Sequence, residues 1–131
     1  VAGGAGRHML SLPAAVRIYL FAAPTDMRKG FDGLAALVSA SGLDVFSGHL
    51  FAFVSRRGDR AKVLTWQRGG FVLWYKRLEQ GRFRMPRIAP GETRIVLEAD
   101  QFAMLLEGID QKDVRRPRRW EPRRKGIDNT S

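Results

Sequence analysis

Between residues 45 and 85, apolar positions come in three runs separated by short charged or glycine-containing breaks (VFSGHLFAFVSRRGDRAKVLTWQRGGFVLWYKRLEQGRFRM). The runs cover 50–55, 61–66 and 71–78, with a loop at 56–60 and a turn at 67–70. They are rich in Phe, Val, Leu, Trp and Tyr, and glycine marks each break, which is the pattern of consecutive β-hairpins. In the first run Phe51 and Phe53 share one face, and Leu50, Ala52 and Val54 share the other. Both faces are apolar, so this strand is expected in the middle of a sheet covered on two sides. Lys76 and Arg77 break the alternation at the end of the third run. The sheet is therefore expected to bury its middle and to carry cations at its ends.

A further strand is predicted over 16–21, between Pro13 and Pro24. Phe31, Leu34, Leu37 and Val38 then recur at helical spacing and predict a helix over 25–40. Thr25 or Asp26 would cap its start, and Gly42 would stop it. Gly30 and Gly33 would then lie inside the helix, each costing about 1 kcal/mol relative to alanine, which close packing on the sheet would offset. Arg28 and Lys29 would fall in the first turn. The helix dipole disfavours cations there, but free amides beside two cations suit a phosphate. Beyond the hairpins, 81–86 reads as a short fourth segment with Arg82 and Arg84 on one face and Phe83 and Met85 on the other. A Pro/Gly loop follows over 87–92, then a short strand over 93–97. The last element is a helix over 99–107, opened by a capping-box pair at Glu98 and Gln101 and ended by Gly108.

The expected fold is α+β: a mostly antiparallel sheet of four to five strands with two packed helices and a flexible Arg-rich C-terminal tail. The first helix, 26–40 once capped, should cover one face, and the second should close an end or edge. Residues 1–8 are expected to be a disordered extension, with Met9 the more natural start, residues 9–111 a single domain, and residues 112–131 a basic tail.

Charge narrows the function. The chain has 131 residues and a net charge of +10, and a balance this basic points to a polyanion, most commonly nucleic acid. The stretch 112–125 (KDVRRPRRWEPRRK) holds eight Lys or Arg and two acids, and Pro117 and Pro122 prevent a regular helix across it. Cysteine is absent, so there is neither a disulfide framework nor a thiolate zinc site. No apolar run reaches transmembrane length and no signal-peptide core is visible. A cytoplasmic location without a membrane partner is expected.

The candidate DNA-binding residues fall in four groups. Arg28 and Lys29 precede the apolar face of the first helix. Arg56, Arg57, Arg60 and Lys62 crowd a hairpin tip that could reach a nucleic-acid backbone as a β-ribbon. Lys76, Arg77, Arg82 and Arg84 mark the end of the hairpins. Arg115, Arg116, Arg118, Arg119, Arg123 and Arg124 lie in the tail, beside Trp120, which could stack on a base or dock on protein. Each group has a plainer reading, since hairpin tips and tails carry charge for solubility. Trp66, Trp74, Tyr19 and Tyr75 read as strand core, with a base-stacking platform as the alternative.

No catalytic, metal or cofactor site is predicted. The carboxylates sit at caps, turns and helix surfaces, His49 lies beside Gly48 in a turn, and no Walker loop, dinucleotide fingerprint or HExxH is present.

Several stretches together carry a family likeness. Residues 24–34 (PTDMRKGFDGL) resemble the opening signature of the TnpB-type accessory protein, the second-reading-frame product, of insertion-sequence-66 elements. Residues 46–53 (FSGHLFAF), 56–64 (RRGDRAKVL) and 74–83 (WYKRLEQGRF) resemble its central signature, and 105–110 (LLEGID) its closing one. The likeness runs from about Met9 to Asp110, with the motifs in the same order. At Thr65-Trp66-Gln67-Arg68 the chain departs from the Trp-Trp-Asp stretch common in the family. The resemblance implies a non-enzymatic protein encoded beside a transposase and a helper protein and needed for transposition, unrelated to the large RNA-guided nuclease that shares the TnpB name. It implies no catalytic residues. Two readings of the role follow. In the first the protein binds element DNA through the cations above. In the alternative it is an interaction module that tethers transposase and helper protein through an exposed edge strand and Trp120. A metal-dependent nuclease subunit is a third and weaker reading.

Overall fold

Alternation in the strands and a strand–helix–strand order at the start of the domain decide the architecture. The computed structural model of the chain describes residues 16–108. Five strands form one sheet: β1 (Ile18–Phe21), β2 (Leu50–Val54), β3 (Arg60–Gln67), β4 (Gly70–Arg77) and β5 (Arg94–Leu97), in the order β4-β3-β2-β1-β5. The two helices are α1 (Phe31–Ala40) and α2 (Ala99–Glu107). β1 and β2 are parallel and joined through α1, and the other three pairings are antiparallel. The expected mostly antiparallel α+β sheet is what forms. The expectations for residues 1–8, Met9, the tail 112–131 with its arginines, and Trp120 concern positions outside the described residues.

β2 is central and apolar on both faces, as its sequence requires. Phe51 and Phe53 are fully buried on one side with Tyr19, Leu64, and Leu34 and Val38 of α1. Ala52 and Val54 are buried on the other with Ile18, Leu20, Val63, Phe83, Leu97, and Leu105 of α2. Burying one such side chain fully is worth about 1.5–3 kcal/mol, so the sheet is held from two sides. The second helix thus covers the opposite face of the sheet, not an end or edge. Segment 81–86 forms no strand. It folds back so that the Phe83 N–H donates to the Gly58 carbonyl at 2.7 Å and the ring enters the core.

α1 starts later than its apolar spacing predicts. Residues 25–30 form a turn instead. The Asp26 carboxylate accepts the Arg28 N–H at 2.9 Å, the Asp26 carbonyl accepts the Lys29 N–H at 3.1 Å, and the Thr25 N–H is taken by the Val54 carbonyl at 2.9 Å. These bonds satisfy the backbone locally, as Asx-turns do. Gly30 becomes the N-cap, and no side chain caps the helix. Two consequences correct the sequence reading. Arg28 and Lys29 do not sit on a helix first turn, and Phe31 is 47% exposed, not core. Gly33 does lie inside α1, but its close neighbour is Lys29, whose Cβ would stand 3.1 Å from an added methyl. Packing on the sheet does not explain it.

α2 matches its predicted bounds, with the Glu98 and Gln101 capping box formed at its start. Gly108 ends it in the left-handed conformation, φ 74°, and an added Cβ there would meet a Leu78 methyl at 2.8 Å. No helix of the described residues is long and apolar enough to cross a membrane.

Candidate polyanion site

The parallel crossover brings the carboxyl ends of β1 and β2 to one end of the sheet, the place where open sheets with parallel strands bind ligands. Three loops meet there: 22–29 after β1, 55–59 after β2, and 82–85 after β4. The Thr25–Val54 and Phe83–Gly58 backbone bonds tie the outer two loops to the middle one. The middle loop is braced from inside. Ser55 donates its hydroxyl to the Asp59 carboxylate at 3.2 Å and accepts the Arg60 N–H at 3.1 Å.

Two adjoining concavities flank the hairpin tip. The first, of about 470 Å³, has an apolar floor of Ala22, Pro24, Val54, Phe83 and Met85 and a rim of Arg56, Arg57, Arg82 and Arg84. No carboxylate lines it. The second, of about 530 Å³, holds Arg28, Arg56, Arg57 and Arg60 together with Asp26 and Asp59. Asp26 is already engaged, its carboxylate taking the Arg28 guanidinium at 2.6 Å. That side-chain bond, then the Arg28 backbone N–H, holds the Asp26 carboxyl well below the usual carboxylate range. The first concavity brings Arg56, Arg57 and Arg82 together with no carboxylate in its lining, whereas two carboxylates line the second. An anion placed in the first relieves the mutual repulsion of its guanidinium groups.

The structure divides the predicted cations. Arg56, Arg57, Arg60, Arg82 and Arg84 are exposed and converge on this end, and Arg28 joins them while paired to Asp26. Arg77 is exposed and paired to Glu79 at 2.8 Å. Lys29 is half-buried along α1. Lys62 is buried and Lys76 half-buried, and both amines are engaged inside the protein. Lys62 is 6% exposed, its amine donating to the Met27 carbonyl at 2.9 Å and the Lys29 carbonyl at 2.8 Å, with the Tyr75 ring centroid 4.6 Å away. Lys76 donates to the Leu106 carbonyl at 2.8 Å, the end of α2. Both lysines sit on strands, where period two turns them inward, and their amines satisfy carbonyls that water would otherwise serve.

The aromatics do not form one platform. Tyr19 is buried against Phe51 and the His49 ring, whose Nδ1 accepts the Arg17 N–H. Trp66 packs with Phe46 and Phe71 beside the turn at the far end of the sheet. Trp74 and Tyr75 are exposed on opposite faces of β4. Among the described residues no group of three His, Asp or Glu side chains could hold a metal ion. Missing from the sequence reading were Ala22, Pro24 and Met85 as cavity walls. The order strand–helix–strand at 16–55 was the available signal, because it implies a parallel pair with both carboxyl ends together.

A family model described as "IS66 Orf2 like protein" matches residues 16–116. Two curated proteins of Sinorhizobium fredii (strain NBRC 101917 / NGR234) are similar across nearly their whole length. Uncharacterized protein y4jC is 33% identical over 115 residues, 83% of this chain and 97% of that protein. Uncharacterized protein y4hO is 38% identical over 112 residues, 85% of this chain and 94% of that protein. No solved structure matches the chain.

Proposed function

Because the chain belongs to the IS66 Orf2-like family, and with it to the accessory proteins of insertion-sequence transposition, we propose that it serves its element by binding DNA at the basic end of the sheet. The observation that carries this reading is the convergence of Arg56, Arg57 and Arg82 on a concavity without a carboxylate in its lining. Guanidinium groups on three tied loops are suited to phosphate oxygens, which they engage in pairs of parallel hydrogen bonds. Arg28 and Arg60 extend the track to the second concavity. The tail arginines, Arg115 to Arg124, would lengthen it along the backbone. Contacts of this kind position a protein on DNA and carry no sequence information of their own.

The test is fluorescence anisotropy with the element's terminal repeat and a scrambled duplex of equal length, across a salt series. Six engaged duplex phosphates would give a log–log slope of roughly −5. A slope near zero would overturn the reading and leave the bridging of transposase and helper protein as the role.

A further inference from the structure

β4 is an edge strand, and the turn before it decides which of its backbone groups face outward. Gln67 and Gly70 pair across two residues, Arg68 and Gly69, with φ of 51° and 80°. Positive φ at both positions is a type I′ turn, whose closing residues exchange hydrogen bonds. Hydrogen-bonded pairs then alternate along the ladder: Thr65 with Val72, Val63 with Trp74, Ala61 with Lys76. The Leu78 N–H donates to the Asp59 carbonyl at 2.7 Å, which continues the same series. Phe71, Leu73, Tyr75 and Arg77 therefore turn their N–H and C=O groups away from β3. Among the described residues no strand pairs with that edge.

Edges are normally blunted by shortness, proline, bulges or charge. β5, at the other edge, is four residues long. β4 is eight residues long, contains no proline, and pairs with β3 over eight consecutive positions without a bulge. Its middle is apolar and open to solvent: Val72 is 47%, Trp74 39% and Tyr75 50% exposed.

We propose that β4 pairs antiparallel with β4 of a second copy, about a twofold axis at Leu73, joining two five-stranded sheets into one. The charges along the strand choose both the occupant and the register. Within β4 the cations stand at one end, Lys76 and Arg77, and Gly70 stands at the other, with Arg68 beyond it in the turn. A twofold centred on Leu73 sets Lys76 opposite Gly70, and Arg77 opposite the turn at Gly69, so no cation of the strand faces another directly. It sets Leu73 opposite itself once, and Phe71 opposite Tyr75 and Val72 opposite Trp74 twice each. Moving the axis to Trp74 keeps the bonding phase but sets Phe71 against Arg77 and Val72 against Lys76. Cross-strand aromatic and aliphatic pairs stabilise by about 0.2–1 kcal/mol each, which favours the Leu73 register. Because the strands run antiparallel, the two basic clefts would lie at opposite ends of the joined sheet. The inference does not depend on what those clefts bind.

Sedimentation of the full chain over a concentration series in high salt tests it. The expected result is a species of twice the monomer mass. Val72→Lys and Trp74→Glu should each raise the dissociation constant by about tenfold or more, since each change enters twice. The double substitution should restore the dimer, because the new cation of one copy faces the new carboxylate of the other. A second readout needs no variant: exchange of the Leu73 and Tyr75 amide protons should slow as protein concentration rises. A monomer at every concentration overturns the proposal. So does a dimer that the single changes leave intact, or one that the double change does not restore.

Discussion

The basic tip of the β2–β3 hairpin and the lysine just behind it carry the same charge and do different work. Arg56, Arg57 and Arg60 stand in solvent around two concavities. Lys62, two residues further along, is buried, with its amine on two carbonyls of the turn that carries Arg28. The difference teaches that a cation's role on a strand is set by its parity and its distance from the tip, not by its charge. Lys62 holds the loop. The arginines stay in solvent at the tip.

That contrast can be broken at either side. Neutralising the tip, with Arg56→Gln, Arg57→Gln and Arg60→Gln together, should lower DNA affinity by about two orders of magnitude near 0.1 M salt and flatten the log–log slope by about three. Stability should stay within about 0.5 kcal/mol, as for surface changes elsewhere. Titration by anisotropy and by urea on the same preparation checks both halves. Lys62→Met should do the reverse. Two carbonyls lose their donor, so urea unfolding should show a loss of about 2 kcal/mol, while the salt slope changes by less than one. A Lys62→Met protein with wild-type stability and a slope reduced as far as in the triple variant would erase the distinction.

The smallest effect belongs to Asp26, which links the two sides. Its carboxyl is held below its ordinary value by Arg28. Its folded-state value is the lower one, so its contribution is present above the unfolded carboxyl value, about 3.9, and fades as pH falls further toward the folded value. Asp26→Asn should therefore narrow the gap in urea midpoint between pH 7 and pH 3, and leave the fold intact, because the new side chain still offers an oxygen to the Arg28 N–H.

Much of this was legible in the residues themselves. The three hairpin strands, the central place of β2, and α2 with its Glu98 and Gln101 box follow from alternation, glycine breaks and capping chemistry. The start of α1 did not. Phe31 fits a helical stripe by spacing, yet Asp26 gives the backbone a competing turn, and tertiary bonds from Thr25 hold it. The inward turn of Lys62 and Lys76 is not legible locally, because nearness in sequence to a charged loop says nothing about which face a strand residue takes. The clustering of Arg82 and Arg84 with Arg56 and Arg57 depends on segment 81–86 folding back over the hairpin tip, a long-range event that no local pattern encodes.

β1 has its own lesson in time. Its two neighbours are β2 and β5, and β5 lies more than seventy residues later in the chain. A nascent chain that has released the hairpins but not residue 94 holds β1 with one side unpaired and its apolar face short of Leu97 and Leu105. Closing so long a loop is slow compared with making a hairpin. The domain's first strand is thus among the last to be completed, and an interrupted synthesis would leave a sheet with a second open, sticky edge.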